Sequence, residues 1–218
     1  MKKILSLDVS ASSTGWAVLV PGDVRRLLET NNLDWLQILD VLRLSRTSKN
    51  WKVYGDGECS LVHGAWRLKN EYSAEGEPHS TFKRNLWLVK KVFGVEFIVF
   101  ERPLAQSQRG GASNEGNDIT VELIGTLKEF CFDAKIRKLY NLHRASWEKD
   151  FIGSQKRGTK RKTIQNLVDE RAEQLGFVFR KNDEAAAIGL LQLQLLNSGT
   201  QPPWLDGEVL RPILGGSK

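Results

Sequence analysis

Short apolar runs and amphipathic stretches divide this chain into predicted strands and helices. The first two apolar runs are Ile4 to Leu7 and Trp16 to Val20, and small polar residues from Ser10 to Gly15 separate them. This pattern predicts a β-hairpin. Asp8 lies inside its first strand, where a desolvated carboxylate costs several kcal/mol unless it meets a cation or hydrogen-bond donors. Asp8 therefore needs a partner.

The hairpin is followed by predicted helices and strands in a mixed order. The first of these are a helical insertion over about 21–58, a strand from Cys59 to Lys69, a helix that Ser80 caps and Gly94 ends, and a central strand from Phe97 to Phe100. The later ones are a helix from Asn117 or Asp118, a strand from Lys135 to Leu142, a short helix around Trp147 that ends at Gly153, a helix led by the basic run 154–163, and an apolar helix after Asp183. That last helix contains three alanines and Gly189, small residues that let a helix approach a sheet closely. We expect one domain over 1–198 and a peripheral Gly/Pro-rich tail over 199–218.

Three acids lie in these elements or at their ends, and each can be interpreted as a structural or as a functional residue. Asp8 either hydrogen-bonds the amides of the following turn or takes part in catalysis. Glu101 follows the central strand and is either an ordinary strand end or a second catalytic carboxylate. Asp183 alone is best explained as a helix N-cap, because Asp performs that role well.

Basic and polar residues lie in two segments that suit contact with phosphates. The run from Ser154 to Thr163 holds five cations and leads into a helix N-terminus, where cations gain nothing from the helix dipole but phosphate binds well. A solvated charged face is the simpler alternative. The polar loop after Glu101 offers further candidates. A solvated loop is again the alternative, and Arg102 beside Glu101 is alternatively an ordinary surface residue. The candidates for contact with phosphates or bases are Arg102, Gln106, Arg109, Ser113, Asn114, Lys156, Arg157, Lys160, Arg161 and Lys162.

Composition narrows the class of protein. The chain has 218 residues, a net charge of +6 and a pI near 9.3, which suits a polyanionic partner. Two distant cysteines fit neither a disulfide framework nor a CxxC metal site. His63 and His79 have no partner at metal-ligand spacing and are expected to be ordinary core or surface residues. Without an apolar run of about 18 residues or a signal peptide, we expect a cytoplasmic protein with no membrane contact.

A hairpin with an acid in its first strand is shared by two groups of proteins. One comprises the sugar kinases, Hsp70 and actin, and the other comprises the RNase H-like nucleases and resolvases. The first is disfavoured because no second glycine-rich phosphate turn appears and the chain is short for two such domains. In their order, the stretches SLDVSASSTGWAVL, FIVFERPLAQSQRGG, HRASWEKDFIG and KNDEAAAIGLL resemble the RuvC-like Holliday junction resolvases, in the branch common in phages.

This resemblance implies an α/β RNase H-like fold, with a central mixed five-stranded sheet flanked by helices. It also implies a metal-dependent endonuclease that resolves four-way DNA junctions in a bacterial or phage-infected cell. Asp8 would bridge two Mg²⁺ ions, with Mn²⁺ as a possible substitute, while Glu101 and Asp183 would each hold one. Two such ions relieve charge and activate water in phosphodiester hydrolysis, and they prefer oxygen ligands. A two-fold symmetric junction suits a homodimer, with the helix from Asp118 to Phe132 as the candidate dimer face.

The chain departs from the family pattern at one position. The family ends in a pattern such as DEADA, whereas this sequence reads DEAAA, so Ala186 stands where a metal-binding acid is expected. Glu184 lies about 100° around the helix and is a poor substitute. Either the chain is a natural non-cleaving relative, or the sequence carries a substitution made to trap substrate. We favour the second because Asp8 and Glu101 persist; the competing function is a non-catalytic branched-DNA-binding protein.

Overall fold

The computed structural model describes residues 2–22, 59–69, 73–103, 115–179 and 182–205. The predicted insertion, apart from its first two residues, lies outside these ranges. So do most of the loop after Glu101 and most of the tail. No helix within the described ranges is long and apolar enough to cross a bilayer.

Strands precede and then alternate with helices along the described residues. The strands are β1 (Ile4–Val9), β2 (Ser13–Pro21), β3 (Cys59–Arg67), β4 (Phe97–Glu101) and β5 (Lys138–Leu142). The α-helices are α1 (Glu77–Phe93), α2 (Glu115–Asp133), α3 (Arg144–Ile152), α4 (Arg161–Gln174) and α5 (Asn182–Asn197), and a short 3₁₀ turn follows at Pro203–Leu205.

The strands form one mixed sheet in the order β3-β2-β1-β4-β5. The chain first makes an antiparallel meander, in which β1 pairs with β2 and β2 with β3. It then adds β4 parallel to β1, and β5 parallel to β4. The predicted α/β fold with a mixed five-stranded sheet flanked by helices is therefore confirmed.

Helices cover both faces of the sheet. Strand alternation sends Leu5 and Leu7 into one core with α1 and α2, and sends Ile4 into a second core with α3, α4 and α5. Ser6 and Asp8 share the face of Ile4 by the same alternation. The acid of β1 thus belongs to the layer that contains the basic-led helix α4 and the apolar helix α5.

Several element boundaries differ from those predicted. Helix α1 begins at Glu77, before Ser80, because Gly76 adopts a left-handed conformation and Pro78 suits the first turn of a helix. Helix α2 begins at Glu115, and β5 begins at Lys138 because the chain turns through Lys135, which has a positive φ of 52°. The turn of the hairpin is shorter than predicted, because Gly15, which is predicted to lie in the turn, already lies within β2.

Gly189 permits a close contact between two helices. A Cβ atom at this position would lie 2.9 Å from Cε3 of Trp147 and 3.3 Å from Cγ of Phe151, both on α3. The expectation that Gly189 brings its helix close to the sheet is therefore wrong in detail. The glycine brings α5 close to α3, while the neighbouring buried alanines face the core next to the sheet.

The two helical glycines Gly189 and Gly125 should respond oppositely to the same substitution. Gly189→Ala should lower the free energy of unfolding by about 1–3 kcal/mol, because the added methyl overpacks against buried aromatic rings. Gly125→Ala meets nothing within 4 Å and should raise it by up to about 1 kcal/mol through helix propensity. Urea unfolding of both variants measures the difference, and equal stability of the two would contradict the packing described here.

Candidate active site

Asp8 and Glu101 lie side by side at the ends of two parallel strands. The β1–β4 register pairs Leu7 with Phe100, and the two acids occupy the next position on each strand. Both side chains are on the sheet face that α3, α4 and α5 cover. The two carboxylates that the sequence separates by more than ninety residues thus meet at one edge of the sheet.

The environment of Asp8 strongly disfavours its ionised form. Burial raises the pKa of Asp8 well above its usual value, and the carboxylates of Glu101 and Asp183 raise it further. Arg144 and Arg161 act in the opposite direction. The interaction of Asp8 with two acids and two arginines, rather than with its own turn, argues against a purely turn-capping role.

Glu101 is held by two residues of α3. Its Oε2 accepts a hydrogen bond of 2.9 Å from Nε1 of Trp147, and its Oε1 lies 3.9 Å from Nη1 of Arg144. Burial raises the pKa of Glu101, whereas Arg144 and the Trp147 hydrogen bond oppose that rise. Arg144 is itself fixed by Glu148, whose Oε1 accepts from the Arg144 Nε at 2.6 Å. Glu101 therefore has a defined orientation, and an arginine is held beside it.

Asp183 lies in the first turn of α5 and is half-buried. It is close enough to Asp8 to raise the pKa of that group. The backbone carbonyl of Asp183 sits against β2 at Gly15, where an added Cβ atom would overlap it. Gly15 is therefore required by close approach of the helix to the sheet, a role that its place in the predicted turn did not indicate.

Glu184 and Ala186 are both buried but differ in their surroundings. Glu184 is 1% exposed, and its Oε2 lies 3.0 Å from Nδ1 of His63 on β3. Ala186 is 3% exposed and packs among the apolar residues of the second core. His63 is a core residue, as expected, although it has a buried carboxylate partner. His79 instead contacts Thr126 and Glu122 on α2.

The donor set suits a hard divalent cation in kind. Asp8, Glu101 and Asp183 offer carboxylate oxygens, which Mg²⁺ and Mn²⁺ accept, and the crowding of Asp8 by the other two is what a cation would relieve. Within the described ranges, no three acid, histidine or cysteine side chains converge tightly enough to form a closed metal site as they stand. Ala186 contributes no donor to this set.

The proposed DNA contacts divide into described and undescribed residues. Gln106, Arg109, Ser113 and Asn114 lie outside the described ranges. Arg102 is exposed, with its Nη1 3.4 Å from Nε2 of His143. The basic residues before and at the start of α4 are all exposed: Lys156, Arg157, Lys160, Arg161 and Lys162.

Arg161 connects the basic segment to the acids. It starts α4, and its charge lowers the pKa of both Asp8 and Glu101. Lys160 precedes it at the N-cap without a side-chain hydrogen bond to the helix amides, and the first turn of α4 contains no acid. The structure thus puts two arginines, Arg144 and Arg161, near the half-buried acids.

Sequence reasoning missed Arg144, Trp147 and Glu148 as parts of this site. All three lie within the stretch HRASWEKDFIG that carried part of the family resemblance. The available signal was the four-residue spacing of Arg144 and Glu148, which predicts a pair on one helix face. Their contact with Glu101 depends on how α3 docks on the sheet, and no local pattern reports that.

Comparisons with known proteins bear on the fold. No protein-family model and no curated protein matches the sequence. Thermus thermophilus RuvC is similar in structure, with a TM-score of 0.54 and 14% identity over 91% of this chain and 97% of that one. T. thermophilus RuvC in complex with a Holliday junction substrate has a TM-score of 0.56 and 13% identity, over 92% and 98%. The yeast mitochondrial Holliday junction resolvase Ydc2 has a TM-score of 0.48 and 12% identity, over 90% and 81%.

The two RuvC structures show that this chain has an RNase H-like fold of the RuvC type. The likeness extends over nearly all of both chains, so it concerns the whole sheet and its two helical layers. At this level of identity the comparison concerns fold.

Removing the charge of Asp8 should stabilise the metal-free protein at neutral pH. An acid whose pKa is raised by folding contributes stability while it is protonated, and that contribution is lost as the pH rises from about 4, the unfolded value, through the folded pKa. In EDTA at pH 7.5, Asp8→Asn should therefore gain about 1–2 kcal/mol, or about 2–8 °C in Tm. At pH 4 the gain should shrink.

Thermal unfolding at the two pH values measures this effect. Glu75→Gln, which neutralises an exposed acid on a turn, serves as the control and should change little. A Tm for Asp8→Asn at or below that of the unmodified chain at pH 7.5 would show that the carboxylate of Asp8 is not under electrostatic strain.

Proposed function

We propose that this protein is a metal-dependent endonuclease that binds four-way DNA junctions and hydrolyses phosphodiester bonds in them. One observation carries the proposal: Asp8 and Glu101 form a half-buried acidic pair at adjacent strand ends, with Asp183 and two arginines around it. Such a cluster is costly for folding alone, and perturbed acids of this kind mark functional sites. The RuvC-type fold supports a junction-resolving nuclease over other hydrolases of phosphodiesters.

Asp8, Glu101 and Asp183 would hold Mg²⁺ or Mn²⁺, with two ions per site. When bound, such ions supply a Lewis acid and lower the pKa of water, which phosphodiester hydrolysis requires. Trp147 keeps Glu101 in one orientation by its hydrogen bond. Arg144 and Arg161 supply positive charge where a DNA phosphate would approach the acids.

Ala186 is the reason to expect impaired cleavage by this sequence. It lies three residues after Asp183, about one helical turn further along α5, and it brings no ligand. The carboxylate of Glu184 is already in contact with His63, and Glu184 lies on a different side of the helix from position 186. Both observations support the view that Glu184 does not replace the missing acid. A natural non-cleaving relative and a substitution that traps substrate both account for Ala186, and we favour the second because the other three acids are retained.

DNA binding is proposed to involve the basic segment and the loop after Glu101. The segment consists of five exposed cations around the uncapped start of α4, where backbone amides and Lys/Arg side chains both suit phosphate. Arg161 links this surface to the acids. A phosphodiester chain running along the segment would therefore reach the candidate active site.

The assembly, the domain limits and the compartment follow as further parts of the proposal. We propose a homodimer, because paired cuts in a two-fold symmetric junction need two equivalent sites. The exposed Val121 and Phe132 on α2 support the predicted dimer face. We also propose a nuclease domain over 1–198 with a tail over 199–218, a phage-type branch on the strength of the motifs, and a cytoplasmic location.

A non-catalytic branched-DNA-binding protein is the second candidate. Two observations favour it: Ala186 removes an expected ligand, and the described acids do not form a closed metal site. This protein would keep the basic surface and bind junctions without cutting them in any metal. The two candidates predict different results when an acid is returned to position 186.

As it stands, the chain should bind a four-way junction and cut it slowly or not at all, and Ala186→Asp should cut it in Mg²⁺. Loss of one electrostatic stabiliser typically lowers the rate by about 100-fold or more, so a rate gain of that order is expected. In EDTA the Ala186→Asp form should bind junctions less tightly, because it adds negative charge near phosphates. Labelled junctions in gel-shift and nicking assays measure both effects.

Ala186→Asn is the matched control, since it adds nearly the same volume at this buried position without the charge. It should fold as Ala186→Asp does, by circular dichroism, and should not cut. Cleavage at full rate by the unmodified chain would show that another acid fills the position. Asp169 on α4, whose pKa is raised by burial and also by Glu173 and Asp183, is the first to test by Asp169→Asn.

Light scattering with and without junction DNA should give the mass of two chains, and a monomer under both conditions would refute the dimer.

Replacing the five cations of the basic segment by Ala should weaken binding to every DNA form and reduce its salt dependence. Each phosphate contact contributes about 0.9 to the slope of log K against log salt, so the slope should fall by up to about 4–5. The control replaces five cations of the α1–α2 layer by Ala, with the same change in net charge: Arg84, Lys91, Lys128, Lys135 and Arg137. Equal slopes for the two variants would show that the segment is only a solvated charged surface.

A further inference from the structure

We propose that the buried pair of His63 and Glu184 is a positioning element that holds Asp183 in place against Asp8. The inference rests on the proposed function, because it concerns the geometry of the same acids. His63 lies on β3, an outer strand of the sheet, and Glu184 follows Asp183 directly in the first turn of α5. The contact thus ties the start of that helix to a strand two places away from β1.

The His63–Glu184 contact is short and shielded from water. Nδ1 of His63 and Oε2 of Glu184 are 3.0 Å apart, and the two residues are 8% and 1% exposed. The ring of Phe177 lies edge-on to the His63 ring, with centroids 6.2 Å apart, so apolar packing surrounds the pair. In such surroundings a polar contact has a fixed direction, because no water competes for either partner.

Two further contacts attach the same helix end to the sheet. Oγ of Ser6 on β1 lies 2.7 Å from the carbonyl oxygen of Ala187 and 3.1 Å from that of Ala17. Gly15 on β2 admits the carbonyl of Asp183 at a distance that any Cβ atom would block. The first turns of α5 are therefore attached at β1, β2 and β3, and Asp183 lies between these attachments.

The polar nature of the pair argues for positioning over simple stability. A buried ionic or hydrogen-bonded pair rarely stabilises a core better than well-packed apolar side chains of the same volume. Apolar packing is tolerant of sliding and rotation, whereas a hydrogen bond sets both direction and distance. Because Asp183 directly precedes Glu184, a rotation of this turn would move the Asp183 carboxylate relative to Asp8.

The test replaces the pair without creating an unpaired buried group. In the double variant His63→Leu with Glu184→Met, the helix should stay docked but lose its fixed orientation. We expect Mn²⁺ binding, measured by calorimetry in the absence of DNA, to weaken by about 10-fold or more, as is typical when an outer partner of a metal ligand is removed. The Tm of the metal-free protein should change little. His63→Gln keeps a hydrogen-bond donor toward Glu184 and should retain affinity within about 3-fold.

Leu127→Ala, a cavity variant in the α1–α2 layer, is the control for general destabilisation. It should lower the Tm and leave Mn²⁺ affinity unchanged. If the unmodified chain and its Ala186→Asp form bind Mn²⁺ and the double variant binds it equally well, the positioning role is overturned and the proposed function stands. If neither of the first two binds Mn²⁺, the proposed function fails and the positioning role fails with it.

Discussion

The parallel pairing of β1 with β4 is the constraint on which the site depends. It sets Asp8 beside Glu101 on the covered face of the sheet, where burial raises the pKa of both acids and repulsion by Glu101 raises that of Asp8 further. A sheet built for stability alone would put apolar residues at these strand ends. This one pairing creates the acidic pair. Four features of the structure then act on that pair: Trp147, Arg144, Arg161 and the docked end of α5.

Helix α3 supplies the compensation that the two acids need. The Trp147 indole gives Glu101 a hydrogen bond, and Gly189 leaves the space in which that indole packs against α5. Arg144 adds a positive charge that Glu148 holds in place. The compensation is partial, since the pKa of Asp8 remains well above its usual value. Further positive charge would relieve this residual strain, and the proposed metal ions would supply it.

The sequence indicated the acids better than it indicated what surrounds them. Asp8 was evident because a carboxylate inside an apolar run needs a partner, and Glu101 because it ends the most apolar strand. The mixed sheet was expected only through the family resemblance, since strand order is not a local property. Gly15 was hidden in a predicted turn, and the His63–Glu184 contact joins residues 121 positions apart, so no spacing rule reaches it. The predicted starts of α1 and β5 failed at left-handed residues, Gly76 and Lys135, which change the direction of the chain.

The burial of Ala186 bears on both explanations of why an alanine stands at this position. At 3% exposure, its place lies inside the second core, so an ionised Asp there would be desolvated as Asp8 is. In the metal-free protein the alanine is therefore the less costly residue, and it adds nothing to the repulsion that Asp8 already feels from Glu101 and Asp183. If the protein no longer needs to cleave DNA, replacing the acid by Ala186 would make it more stable. If the acid was replaced to trap DNA, the replacement would reduce the repulsion between the site and the DNA phosphates. The proposed function favours the second case, because release from cleavage would also remove the reason to keep Asp8 and Glu101.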